Sequence, residues 1–316
     1  MAERFRYRAY ELLIESEVEI PEMVATADGG APDVRITLGG VPDAIEAPDE
    51  TRVTWAARPD EWLHEIDGVA RYFVTDGGSD VRIEPNGGDP ADLRAFLLAS
   101  TLGAILHQKK LFVLHAGAVA TPSGAVAVCG PSGTGKSTTL AELERRGHPV
   151  LSDDKTVVRF DADAPEVLSG FPTLRLWHDA VDRIGEDAGA LPALRDGIAK
   201  YLYRASSFQR ERATLKLLVV LHQRRENGPA EPDGTEHPGG VWTMPLTPHD
   251  GVGVILRQTY RRRIVDGSGL RREHFGWAAR LAAAVPVVRV VRPREGESVG
   301  AVVDAIEAQL AAVAER

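Results

Sequence analysis

The stretch that most constrains this chain is Gly130-Pro131-Ser132-Gly133-Thr134-Gly135-Lys136-Ser137, which reads glycine, four variable residues, then Gly-Lys-Ser. The small and β-branched run Ala125-Val126-Ala127-Val128-Cys129 leads into it and predicts a buried parallel strand. Beyond it Leu140 and Leu143 share one helical face, and Gly147 marks a stop. Strand, glycine loop and helix in that order form the context of a phosphate-binding loop, and the fold class expected is α/β. The chemistry needs these residue types. Glycines let the backbone curl round a polyphosphate with no Cβ in the way, so that backbone N–H groups meet the charge. The following helix points its positive end at the same place. Lys136 would add a mobile charge near the β and γ phosphates of ATP, and the Ser137 hydroxyl suits Mg²⁺. The nucleotide-binding set is therefore Gly130, Pro131, Ser132, Gly133, Thr134, Gly135, Lys136, Ser137 and Thr138.

A chain of 316 residues can bury a full core and is long enough for two domains. The formal net charge of −9 argues against a broad nucleic-acid surface or an anionic-membrane surface. Cys129 is the single cysteine, so no intramolecular disulfide can form. Its place in an apolar strand makes it a core residue. The first residues lack an apolar signal core and no run of 18 apolar residues occurs, so a cytoplasmic setting is expected.

Residues 1–88 read as a β-rich N-terminal domain, with strands expected at Tyr7–Ile14, Val34–Leu38, Arg52–Trp55, Val69–Thr75 and Val81–Glu84. Asp76-Gly77-Gly78 is a hairpin turn between the last two. Trp62 and His64 read as core and surface residues. Residues 89–316 form the second domain. Asp89-Pro90 caps a helix reaching about residue 108. Leu111–Leu114 is a buried strand ending at His115, followed by a hairpin-like excursion to the glycine loop.

After the loop helix, His148-Pro149-Val150-Leu151-Ser152 is a short strand ending in Asp153-Asp154. In a strand–helix–strand unit it should run parallel to, and near, the strand feeding the loop. Ligands of such sheets bind beyond the carboxyl ends of the strands, which brings both acids to the phosphates. Phosphoryl transfer uses one carboxylate for Mg²⁺ and one for the acceptor's proton. Adjacent side chains diverge on a strand, so both acids can face one site only across a turn.

Arg175 and Asp179 are weaker candidates, and Asp179 is also expected to cap the helix that follows. Lys200 and Arg204 share a face if their basic segment, 195–212, is helical. Leu215–Leu221 is an apolar strand with no acid at its end. Residues 223–240 read as a long loop, and Arg261-Arg262-Arg263 as a solvated charge run.

Taken together, His115 after a strand, the glycine loop, Arg146-Gly147-His148-Pro149 and Asp153-Asp154 resemble the catalytic domain of HPr kinase/phosphorylase. Leu174-Arg175-Leu176-Trp177-His178-Asp179-Ala180 resembles its stand-alone relatives, the HPr-kinase-like serine kinases, some of which phosphorylate lasso-peptide precursors. Gln258-Thr259-Tyr260 and Pro286-Val287-Val288-Arg289 add to the likeness, which covers about residues 111–295. The resemblance implies a P-loop kinase domain in which Lys136 and the loop amides hold ATP, Ser137 and Asp154 bind Mg²⁺, and Asp153 is the catalytic base beside His115. The family's Glu-Ile-Arg-Gly-Leu-Gly stretch is replaced here by Thr173-Leu174-Arg175-Leu176-Trp177-His178. The missing glutamate puts reverse dephosphorylation, and HPr as substrate, in doubt.

The function expected is ATP-dependent transfer to a serine hydroxyl of a peptide or small protein. A small-molecule hydroxyl kinase and a non-enzymatic ATP-dependent switch stay open, as does a homo-oligomer.

Overall fold

The computed structural model describes residues 3–195, 197–224, 234–294 and 298–315. Two large mixed sheets organise the chain, one of nine strands and one of ten, with a two-stranded ribbon beside them.

The nine-stranded sheet occupies the first 85 residues. Its hairpin Ala70–Thr75 and Asp80–Pro85 turns at Asp76-Gly77-Gly78, as the glycines require. The strand expected over Tyr7–Ile14 is instead two strands, Phe5–Ala9 and Leu12–Ser16, paired antiparallel. Tyr10 and Glu11 make the turn with φ of 54° and 63°, a left-handed conformation that favours glycine. Tertiary contacts override local preference here: the Tyr10 N–H donates to the Ser169 carbonyl at 2.6 Å and its hydroxyl to the Lys155 carbonyl at 3.2 Å. Glu61–Ile66 is a further strand, and it buries both Trp62 and His64, so His64 is not a surface residue.

Asp89 caps the next helix as expected, accepting from the Ala91 N–H at 2.6 Å. The helical path runs from Pro90 to Gln108 with a π segment at Leu97–Thr101. Leu97, Leu102, Ile105 and Leu106 join the first sheet's core, and the same apolar cluster takes in Val113, Val157, Phe171 and Tyr260. One core thus crosses residue 88.

In the ten-stranded sheet, Ala213–Gln223 is central and parallel to both Gly124–Cys129 and Val287–Arg292. Alternate residues of the strand Gly124–Cys129 face opposite layers. Val126 and Val128 pack with Leu140, Leu143, Val303 and Ile306 from the helices Lys136–Arg145 and Val299–Ala314. Ala125, Ala127 and Cys129 pack with Val254, Ile255, Ala278 and Leu281 from Pro248–Arg257 and Arg271–Ala284. Burial on both faces explains the nearly unbroken apolar runs of these strands.

The strand Val150–Ser152 runs in the same direction as Gly124–Cys129, but Ala116–Thr121 lies between them, antiparallel to each. The strand is parallel to the loop strand and near it, as expected, with one strand between them. The carboxyl ends of both strands still open on the same edge of the sheet. Lys200–Arg204 is a strand paired with Thr173–Trp177, not a helix. Of the loop expected over 223–240, residues 225–233 lie outside the described residues, while Thr235–His237 forms a strand. No helix among the described residues is long and apolar enough to cross a membrane.

Candidate active site

The glycine loop leaves the sheet at Gly130, whose φ of 143° and closeness to Leu221 exclude any side chain. A Cβ there would sit 2.4 Å from the Leu221 carbonyl oxygen. Gly133 and Gly135 are left-handed, with φ of 80° and 95°, and Gly135 precedes the helix Lys136–Arg145. Lys136 folds back over the loop, its Nζ donating to the carbonyls of Gly130 at 2.9 Å and Pro131 at 3.2 Å. Burial pulls its pKa down, against the opposing pull of Asp153.

The acids meet the condition that both must turn to one place. The strand stops at Ser152, the Lys155 N–H donates to the Asp153 carbonyl at 2.7 Å, and Asp154 takes a φ of 65°. Both side chains then enter the cavity that holds Lys136 and Ser137. Asp153 is buried. The Ser137 hydroxyl donates to its two oxygens at 3.1 and 3.2 Å, and the Arg175 N–H donates to one of them at 2.9 Å. Burial pushes this carboxyl above its ordinary range.

Asp154 is held by different partners: Lys155 Nζ at 2.6 Å, Arg175 Nη1 at 3.2 Å, His115 Nδ1 at 3.4 Å and the Tyr260 hydroxyl at 3.4 Å. Burial alone would raise its pKa, but the cations of Lys155 and Arg175, with His115, hold the carboxyl well below the usual carboxylate range. His115 is itself pulled below its ordinary pKa by burial, with Asp154 opposing.

Two cavities meet at these groups. The first, about 390 Å³, has Gly133, Gly135, Lys136, Ser137, Thr138 and Asp153 in its wall. The second, about 710 Å³, adjoins Gly130, Pro131, Gln258 and Tyr260. His115, Ser132 and Asp154 belong to both walls. Of the residues expected to bind nucleotide, Thr134 alone stays out of both; it is buried, and its hydroxyl donates to the Pro131 carbonyl at 2.8 Å. Among the described residues no three His, Cys, Asp or Glu side chains converge as a metal site.

The weaker candidates separate. Arg175 lies at the centre, on Asp154. Lys200 reaches the first cavity with Nζ 4.6 Å from the Trp177 ring centre, whereas Arg204 donates to the Pro21 carbonyl at 3.1 Å, away from it. Asp179 also reaches the first cavity, but it does not cap its helix. Trp177 precedes His178–Arg183, and Asp179 sits inside the first turn.

Sequence reasoning gave no role to Gln258, Tyr260 or Lys155. The Gln258 carbonyl accepts from the His115 N–H at 2.6 Å, and its side-chain oxygen accepts from the Gly130 N–H at 3.2 Å. It thereby ties His115 to the start of the loop. The Tyr260 ring stands 5.8 Å from His115 and 4.5 Å from Lys155 Nζ. Position immediately after the acid pair was the one available signal for Lys155.

The sequence matches no protein-family model and no curated protein. Among solved structures, the HPr(Ser) kinase/phosphatase from Coxiella burnetii is similar at a TM-score of 0.35 and 11% identity, over 62% of this chain and 89% of that one. That likeness is too distant to carry any residue's role across. What the chain is on its own evidence is a mixed α/β protein with two large mixed sheets.

Proposed function

We propose that this protein is an ATP-dependent kinase that moves the γ-phosphoryl group to a hydroxyl, a serine of a peptide or small protein. The observation that carries the reading is the division of the acid pair beside one glycine loop: Asp153 on the Ser137 hydroxyl, Asp154 on His115.

The Ser137 hydroxyl and the Asp153 carboxylate are hard oxygen donors and fit Mg²⁺, which would neutralise phosphate charge when bound with the nucleotide. Lys136 and the loop amides would hold the phosphates in the first cavity. Asp154, in the wall of both cavities, is the group an incoming hydroxyl would meet. The acceptor oxygen attacks the γ phosphorus, its proton passes to an Asp154 oxygen, and the bond to the bridging oxygen of ADP breaks. Arg175 and Lys155 keep Asp154 ionised and aimed; His115 stands against it. A weakly basic carboxylate suits a loose transition state, in which positioning and charge matter more than base strength.

These roles exchange those first expected, Asp153 as base and Asp154 with Ser137 as metal ligands. The hydrogen bonds favour the exchange, because Ser137 bonds Asp153 and the wall shared by the two cavities contains Asp154.

The test is mass spectrometry of serine-containing peptides after incubation with the protein, ATP and Mg²⁺. A gain of one phosphate on serine is the expected result. Tight ATP binding with no phosphorylated product from peptides or free hydroxy compounds would leave a nucleotide switch.

A further inference from the structure

The second cavity has a chemistry that nucleotide binding does not use. Its wall carries Arg257, Arg261, Arg262 and Arg289, and Asp154 is the one carboxylate there among the described residues. Asp154 is already neutralised by Lys155 and Arg175. The chain has 46 acids against 37 bases, so carboxylates are plentiful. Elsewhere they are used generously: Arg71, Arg146 and Arg212 each lie within ion-pair distance of three. None of the four cavity arginines pairs with a carboxylate among the described residues.

The four arginines do not share one element but come from three: the end of the helix Pro248–Arg257, the turn entering Arg262–Gly267, and the strand Val287–Arg292. They converge on one concavity. Arg261 takes a left-handed φ of 42° and stands 5.8 Å from the Tyr260 ring, which in turn stacks near His115. Arg289 is half-buried, and its Nε is buried with no hydrogen-bond partner. A buried donor left unmade is costly, and a guanidinium matches a carboxylate or phosphate in geometry as well as charge. The triphosphate has its own cations in the other cavity, Lys136, Lys200 and Arg292 among them.

We propose that this arginine-lined cavity is the acceptor site, and that the acceptor carries carboxylate or phosphate groups beside its hydroxyl. The inference rests on the kinase reading for the word acceptor, while the anion site itself is testable without it. An acceptor seated here presents its hydroxyl to Asp154 and His115 from the side opposite Lys136 and Ser137.

The experiment is titration calorimetry, with and without Mg·ATP, using four probes. They are a serine peptide flanked by glutamates, the same peptide with glutamines, glycerate, and glycerol 3-phosphate. Each probe is run against the natural chain and against the double variant Arg257→Gln, Arg262→Gln. Both replaced side chains are exposed, so folding should survive. The expected result is that at least one anionic probe binds roughly tenfold or more tighter than the neutral peptide. That advantage should vanish in the variant, while Mg·ATP affinity holds. Which anionic probe wins distinguishes an acidic peptide from a small hydroxy acid or phosphate. Equal binding of the neutral peptide, no effect of the double variant, or a parallel loss of Mg·ATP binding would each overturn the proposal. Anion binding that survives while no acceptor is phosphorylated would sink the kinase reading and leave the anion site standing.

Discussion

The two sheets are filled with different kinds of side chain. The nine-stranded sheet buries Tyr7, Tyr10, Trp62 and Tyr72, whereas the strands around the glycine loop bury Ala116, Ala118, Ala125 and Ala127. Aromatic hydroxyls inside a core need partners, and they find them: Tyr7 accepts from the Ile20 N–H at 2.7 Å, and Tyr72 donates to the Leu93 carbonyl at 2.9 Å. Small residues do something else. They let helices lie close on the sheet. Gly117 is the extreme case, since a Cβ there would fall 2.0 Å from Leu140 Cδ1, on the loop helix. The comparison teaches that the chemistry gathers where closely packed strands end, and that the aromatic sheet serves as a brace. Its contribution to the site is Tyr10, bonded to the backbone of Lys155 just behind Asp154.

The largest break in that comparison is Trp62→Ala. Emptying a fully buried aromatic site should cost about 3–5 kcal/mol, read as a lower urea midpoint. Phosphate transfer per folded molecule should stay unchanged, because Trp62 is in the wall of neither cavity.

Acid should come next. His64 lies in the first sheet, and His107 and His274 stack 5.3 Å apart between the helices Leu102–Gln108 and Arg271–Ala284. Burial lowers His64 and His107 to about 4 and His274 to about 3. The folded state resists their protonation, so the unfolded chain takes up protons first as pH falls below about 6.5. Stability is therefore full at neutral pH and is lost as pH falls from about 6.5 towards 4. Shifts of this size correspond to about 3 kcal/mol for His64 or His107 and about 5 kcal/mol for His274. Denaturant midpoints across that range check it, and His274→Phe should flatten the curve.

The smallest effect sharpens the link between the regions. Tyr10→Phe keeps the packing and removes one hydrogen bond, a loss of about 1 kcal/mol. It should also lower transfer by a few-fold through Lys155, with nucleotide affinity unchanged. An unaltered transfer rate would mean that the brace is purely structural.

Much of the loop-bearing region was legible from local pattern. The glycine loop, its strand and helix and the turn at the acid pair all follow from residues close together in the chain, whereas a place for His115 beside the acids was implied by the family resemblance alone, and the contact it makes is to Asp154. What escaped is long-range. Gln258 meets Gly130 across 128 positions, and Tyr260 meets Asp154 across 106. Both lie in the Gln258-Thr259-Tyr260 stretch that adds to the family likeness, but nothing local says what either side chain touches. The Tyr10–Glu11 turn was missed because its residues disfavour the conformation they adopt, and contacts to Lys155 and Ser169 hold them there. The strand at Lys200–Arg204 was missed because residues four apart share a face in a strand as well as in a helix. The three arginines at 261–263 are exposed, as their reading as a solvated run expects, and only the fold shows that two of them also line a cavity.

The division of labour between the two acids is the account's central claim. Asp153→Asn and Asp154→Asn should be compared side by side, for Mg·ATP affinity and for phosphate transfer to a serine peptide the natural chain accepts. The account predicts that Asp153→Asn weakens Mg·ATP binding. It predicts that Asp154→Asn leaves that affinity within about twofold while transfer falls by roughly a hundredfold or more. The reverse pattern, or full transfer by Asp154→Asn, would contradict it.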